Sequence, residues 1–213
     1  MRKPNHIAII PDGNRRYAHS IGLSKDMGYE YGITPGLSVF KLCEKENINE
    51  VTFYGFTVDN TKRPSIQKIA FIKACIKSVL LLTKENCEIL VVGDTSSKNF
   101  PKELLSFTNR KIYGSGGIKV NFLINYAWQW DLNHLKCCEI NSHDILNNIG
   151  SSLISRIDLV IRWGGRRRLS GLLPVQSVYS DFFVIDDLWP DFKEDHFYSA
   201  LTWYNSQDVT LGG

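Results

Sequence analysis

Short apolar runs alternate along the chain with longer segments in which apolar residues recur every three or four positions. His6-Ile7-Ala8-Ile9-Ile10 reads as a buried strand that turns sharply at Pro11-Asp12-Gly13-Asn14 and continues into a basic segment able to start a helix. Residues 25–32 form a polar connection rich in glycine and tyrosine. Thr34-Pro35 then marks a helix start, with threonine as cap and proline in the first turn, and Leu37, Phe40 and Cys43 on one face. Further strands are expected at residues 51–56, 88–92, 118–125, 157–162 and 182–185. Between the first two of these, Ile66, Ile69, Ile72, Ile76, Val79 and Thr83 recur at helical spacing, which predicts a helix of about five turns. Phe71, Cys75 and Leu82 give that helix a second apolar face, so it is either buried between layers or walls a hydrophobic cavity. Residues 101–107 are a short helix, residues 132–155 are helical with breaks at 141–144 and at Gly150, and residues 191–205 form an amphipathic closing helix. Strands alternating with helices predict an α/β fold: a central, mostly parallel sheet covered by helices on both faces.

The 213 residues, 43% hydrophobic and 22% charged, carry no repeat, linker or low-complexity tract, so residues 1–213 are read as one domain. A net charge of +3 with signs mixed along the chain argues against a general nucleic-acid or membrane coat, but leaves room for a local anion site. The five cysteines, Cys43, Cys75, Cys87, Cys137 and Cys138, show no metal-ligand spacing. Their odd count argues against a disulfide framework and for a reducing cytoplasm. The opening apolar run is too short for a signal peptide, and no segment is long enough to span a membrane.

In a sheet of this kind ligands collect beyond the carboxyl ends of the strands, and Asp12, Asn60, Arg63 and Arg162 each follow a predicted strand. Pro-Asp-Gly-Asn alone is also an ordinary turn. As a site it offers helix-start amides and the guanidinium groups of Arg15 and Arg16 to a diphosphate, Asp12 to a divalent cation, and Gly13 for close backbone approach. Arg162, Arg166, Arg167 and Arg168, interrupted by two glycines and followed by Ser170, suit a second phosphate group; the competing reading is a solvated basic loop, with Trp163 beside it, that binds RNA.

Residues 6–17 resemble the opening signature of the cis-prenyltransferases, the undecaprenyl diphosphate synthase family. Residues 162–170, continuing through 174–183 and 187–192, are similar to that family's carboxyl-terminal signature, and residues 56–64 and 92–95 match in order and spacing. The resemblance implies a homodimer with a hydrophobic cleft for the growing chain, and Mg2+-assisted loss of diphosphate from an allylic isoprenoid before coupling to a homoallylic one. It further implies that Asp12 is the essential metal and diphosphate residue, with Gly13, Asn14, Arg15, Arg16 and Tyr17 around the allylic diphosphate. Lys25, Tyr29 and Arg63 fall at substrate-binding positions and Asn60 at one assigned to proton removal. Arg162, Arg168, Leu169 and Ser170 would take the second diphosphate, and Asp181, a glutamate in typical members, would complete the Mg2+ site.

Several positions depart from the chain-elongating pattern. Tyr29 stands in place of histidine, Arg166 in place of an acidic or polar residue, Trp128 in place of glycine and Gly171 in place of asparagine, and residues 57–61 replace a serine-rich stretch. The segment between Pro64 and Gly93 is about one helical turn short. These changes point to a short product and raise an irregular, lavandulyl-type coupling; a regular short-chain or undecaprenyl-type synthase, neutral drift at the altered positions, and a catalytically silent subunit are the alternatives.

Overall fold

A computed structural model describes residues 2–135 and 142–208. The seven strands among the described residues join one sheet in the order β4-β3-β5-β2-β1-β6-β7. These are β1 (His6–Ile10), β2 (Glu50–Tyr54), β3 (Cys87–Val92), β4 (Lys111–Tyr113), β5 (Ile118–Leu123), β6 (Leu159–Arg162) and β7 (Asp181–Val184). Every neighbouring pair is parallel except β3 and β4. The edge strand β4 has no counterpart in the sequence reading. Three residues with exposed Lys111 and Ile112 are too few to show an alternation.

The α-helices are α1 (Asn14–Ser20), α2 (Gly28–Tyr31), α3 (Ile33–Lys45), α4 (Ser65–Leu82), α5 (Trp128–Leu132), α6 (Ser142–Asn148) and α7 (Glu194–Ser206). Residues 101–107, expected as a short helix, form a 3-10 turn at Lys102–Phe107, and the closing helix expected from residue 191 begins at Glu194, after a separate 3-10 turn at Trp189–Asp191. Part of the helical stretch expected from residue 132 lies outside the described residues, as do Cys137 and Cys138.

Because strand residues alternate in direction, Ile7 and Ile9, Val51 and Phe53, Val120 and Phe122, and Leu159 and Ile161 build the larger core with α3, α4 and α7. Ala8, Ile10, Leu90, Leu123 and Val160 face the other way, onto Tyr126, Ile154, Leu172 and Leu173. Two local expectations fail. Residues 25–32 are not merely polar connection, since α2 buries Gly28 and Tyr29. Thr34 is not a cap, because α2 runs through Gly32, itself in right-handed helical conformation, directly into α3, and no extended residue is left to present a capping side chain.

At the amino end of the sheet His6 is fully buried. Its Nδ1 lies 3.1 Å from the carbonyl oxygens of Ser155 and Arg156, and its Nε2 2.8 Å from Thr52 Oγ1, which also accepts from Asn121 Nδ2 at 2.9 Å. A neutral ring that donates from Nδ1 and accepts from the threonine hydroxyl satisfies every partner. Burial holds the His6 pKa below its ordinary value despite neighbouring Glu50. The carboxyl of Glu50 is also lowered: its own burial opposes this, but His6 and the hydrogen bonds from Ser155 and Asn121 outweigh it. Both shifts leave the unfolded chain binding more protons than the folded one, so stability is present at neutral pH and lost in acid, first below about pH 6.5 through His6 and then below about 4.5 through Glu50. The urea midpoint is expected to fall between pH 7.5 and 5.5, and His6→Gln to flatten that part of the profile; an unchanged profile in the variant would refute the assignment.

Candidate active site

The carboxyl ends of β1 and β6 lie side by side, with Ile10 opposite Arg162, and the loops that follow them close around one another. The turn at Asp12 is pinned by its own carbonyl, which accepts the Trp189 amide at 2.9 Å. Gly13 then adopts φ +116, and a Cβ there would press into Leu188, so glycine is required both for the backbone angle and for the contact. Across the gap Arg162 is 4% exposed. Its Nη2 donates to Asp12 Oδ2 at 2.8 Å, and its Nη1 donates to Ser170 Oγ at 2.9 Å and to the Arg168 carbonyl. Arg16 contacts the other Asp12 oxygen at 3.6 Å and donates to the Gly164 carbonyl at 2.8 Å. The two anion motifs of the sequence are therefore one site, stitched by an Asp12–Arg162 ion pair.

The four arginines after β6 divide their work. Arg162 is internal, Arg166 and Arg168 line a cavity of about 550 Å³ with Arg15, Arg16, Lys25 and Arg63, and Arg167 turns outward toward exposed Asp186. Among the described residues Asp12 is the only carboxylate in that lining, so the cradle is strongly cationic. A continuous arginine face for RNA is absent from this loop. Leu169 is more than one-third exposed, and Ser170, at φ +55, is held on both sides: its hydroxyl accepts the Arg162 bond at 2.9 Å, and its carbonyl accepts the Tyr54 hydroxyl at 2.7 Å.

Beneath the cradle lies a second, apolar cavity of about 70 Å³ walled by α4 through Phe71, Ala74, Cys75 and Leu82, and by Phe53 and Phe122 from the sheet. Of the two roles left open for α4, it takes the cavity wall. Its Ile66 and Ile69, near the amino end, are exposed rather than buried. Pro11, Asn14, Tyr29 and Phe71 line both cavities. Arg63 Nη1 donates to the Tyr29 hydroxyl at 2.8 Å; burial raises the Tyr29 pKa and lowers that of Arg63.

Three expected site residues stand elsewhere. Asn60 does not line the cradle. Its Oδ1 accepts the Thr57 amide at 2.9 Å, because a polar side chain three residues into a 3-10 turn closes back on the cap. Tyr17 packs on Tyr31, with ring centroids 5.3 Å apart. Asp181 opens β7 and pairs with Arg2 at 3.0 Å. Its register partner Leu159 is level with Ile7, so Asp181 lies about 10 Å back along the strands from the end where Asp12 sits. Within one chain the two carboxylates cannot share an ion.

No group of three or more His, Cys, Asp or Glu side chains gathers among the described residues. A single carboxylate beside an anion cradle still fits Mg2+, which is commonly held by one or two carboxylates together with substrate phosphates and water. His19 and Trp189 also line these cavities, and Phe71, which helical spacing puts on the second apolar face of α4, lines both.

Two departures noted in the sequence turn out to be one. Gly171, at φ +81, lies under the Trp128 indole, and a Cβ there would sit 2.8 Å from the ring. Since asparagine tolerates this backbone region, Gly171→Asn is expected to cost about 1–3 kcal/mol mainly through overpacking. Adding Trp128→Gly should recover part of that loss. Urea unfolding of the two single variants and the double variant measures the coupling, and strict additivity would refute the pairing.

The fold and site define an α/β protein with a cationic cradle beside an apolar cavity. The undecaprenyl diphosphate synthase prenyltransferase model matches residues 10–212, and the chain belongs to that family. It is 31% identical to the ditrans,polycis-undecaprenyl-diphosphate synthase of Yersinia pseudotuberculosis, specific for (2E,6E)-farnesyl diphosphate, over 100% of this chain and 91% of the relative. The Buchnera aphidicola enzyme of the same name is 29% identical over 98% of the chain and 91% of its own length. Among solved structures, lavandulyl diphosphate synthase of Lavandula x intermedia, in complex with dimethylallyl diphosphate, superposes with a TM-score of 0.86 over 99% of both chains at 21% identity, which establishes the shared fold. No described helix is long and apolar enough to cross a membrane.

Proposed function

We propose that this chain, acting as a single catalytic domain, is a short-chain prenyl diphosphate synthase that ionises an allylic diphosphate and joins its carbon skeleton to a second five-carbon isoprenoid diphosphate. The observation that carries the reading is the pairing of a cationic cradle with an apolar cavity of only about 70 Å³. A cavity of about 150 Å³ holds benzene, so this one suits a tail of about one isoprene unit unless it opens. Loss of diphosphate puts negative charge on the leaving oxygens. Arg15, Arg16, Lys25 and Arg63 are placed to stabilise that charge, and the apolar wall keeps water from the allylic cation. Asp12 would hold Mg2+, which when bound would further neutralise the departing diphosphate. Arg166 and Arg168 are left for the second diphosphate, with Arg162 organising both halves rather than binding as a free fork.

The bulky Trp128 beside the Ser170 loop favours the irregular, head-to-middle coupling. The regular undecaprenyl-type activity is favoured by the names of the curated relatives. A cytoplasmic homodimer is part of the reading, as the family resemblance implies.

Mass spectrometry of three incubations separates these outcomes. A branched ten-carbon diphosphate from dimethylallyl diphosphate alone supports irregular coupling. Product only when isopentenyl diphosphate is added sinks it, and long chains from farnesyl and isopentenyl diphosphates support the undecaprenyl-type activity. No product from any mixture refutes catalysis and leaves a silent subunit. Chelation with EDTA is expected to abolish turnover and excess Mg2+ to restore it.

A further inference from the structure

Tyr29 occupies an unusual place for a tyrosine on a short surface helix. It is 4% exposed and borders both the cradle and the apolar cavity. Its ring stacks on Phe71 with centroids 4.5 Å apart and planes 6° from parallel, so the two rings make a double-thickness partition. Phe71 is braced in turn by the edge of Phe56 at 5.6 Å. The hydroxyl is fixed by Arg63, whose guanidinium also lies 5.5 Å from the Phe71 ring centre. A diphosphate in the cradle and the tail behind it must therefore pass this partition, and the side chain that anchors the partition is itself a cradle cation.

We infer that the Tyr29–Phe71 stack is the gate that sets how long an allylic tail the site accepts, with Tyr29 the specificity-determining residue and Arg63 the latch that holds it. The inference rests on the proposed prenyl diphosphate chemistry. A five-carbon tail fits the small apolar cavity as the stacked rings bound it, whereas ten- and fifteen-carbon tails require the rings to part. Removing the Tyr29 ring merges the cradle with the cavity along α4, where Ala74, Cys75 and Ser78 offer small side chains to a longer tail. The partition is rigid because each ring is held by more than its own rotamer: Tyr29 by a charged hydrogen bond and Phe71 by contacts on two sides.

The test uses the full chain and unreactive thiolodiphosphate analogues of the five-, ten- and fifteen-carbon allylic diphosphates, with binding followed by calorimetry in Mg2+ and product followed in parallel with the reactive substrates. The wild type is expected to prefer the five-carbon tail. Tyr29→Ala is expected to shift the ratio of fifteen- to five-carbon affinity by about tenfold or more toward the long tail, the scale on which a pocket discriminates added methylenes. Tyr29→Phe keeps the ring but loses the Arg63 bond, so it should shift the ratio in the same direction by less than Tyr29→Ala, and an unchanged ratio there removes the latch; Phe71→Leu should shift it as Tyr29→Ala does and serves if the latter fails to fold. Wild-type turnover combined with an unchanged tail preference in both Tyr29→Ala and Phe71→Leu overturns the gate and leaves the catalytic reading standing. Failure of the wild type to bind any analogue or to form product overturns both.

Discussion

Asp12→Asn is expected to lower turnover by about 10²–10³-fold, the loss seen when one preorganised electrostatic group is removed from a transition-state site. Asparagine keeps the shape and one acceptor oxygen, so Arg162 Nη2 retains a partner at the position it now occupies 2.8 Å from Oδ2, and the fold should survive with little change in unfolding midpoint. What disappears is the charge: the only carboxylate in the cradle lining, through which a divalent ion would be held among six cations. Asp12→Ala should add a stability cost of about 1–3 kcal/mol by leaving the Arg162 guanidinium partly unpaired. That is less than for a fully enclosed pair, since about a third of the Asp12 side chain is exposed and Arg162 keeps Ser170 and the Arg168 carbonyl. Steady-state kinetics and urea unfolding separate the two effects. Near-wild-type turnover in Asp12→Asn would remove Asp12 from the chemistry.

Arg162→Lys is expected to be nearly as damaging to turnover, about 10²-fold, although the charge is conserved. The guanidinium spans two loops at once, one edge on Asp12 and the other on Ser170 Oγ. A lysine ammonium is a single point of charge and cannot make both bonds from the same place. The loss should fall on both substrates, because Asp12 and the Ser170 loop would each drift from the geometry that Arg162 holds. A change confined to the KM of one substrate would mean instead that Arg162 binds that substrate directly.

Much of this was legible along the chain. All six expected strands and the long helix lie within two residues of the observed ones, because buried parallel strands are unbroken β-branched runs and α4 repeats its apolar residues at helical spacing over 18 residues. Elements with little periodicity were not legible: β4 with three residues, and α2 with four, whose tyrosine is buried by contacts with α4 rather than by its own pattern. Asp12, Arg162, Arg168 and Ser170 stand out along the chain because charged and small residues follow directly on apolar strands, where the backbone must turn out of the sheet.

By itself, then, the sequence determined the sheet, its strand-end chemistry and the two anion motifs, since these follow from local hydrophobic periodicity and turn composition. The tertiary structure alone decided that the motifs form one site, because Ile10 and Arg162 become neighbours only through the pairing of β1 with β6, across a separation of about 150 residues. It also decided which residues leave the site. Strand register places Asp181 toward the far end of the sheet, local capping turns Asn60 back on Thr57, and side-chain packing brings Tyr29 and Phe71 together as a partition between charge and grease. Register, capping and packing are relations between distant or competing partners, and no single stretch of sequence carries them.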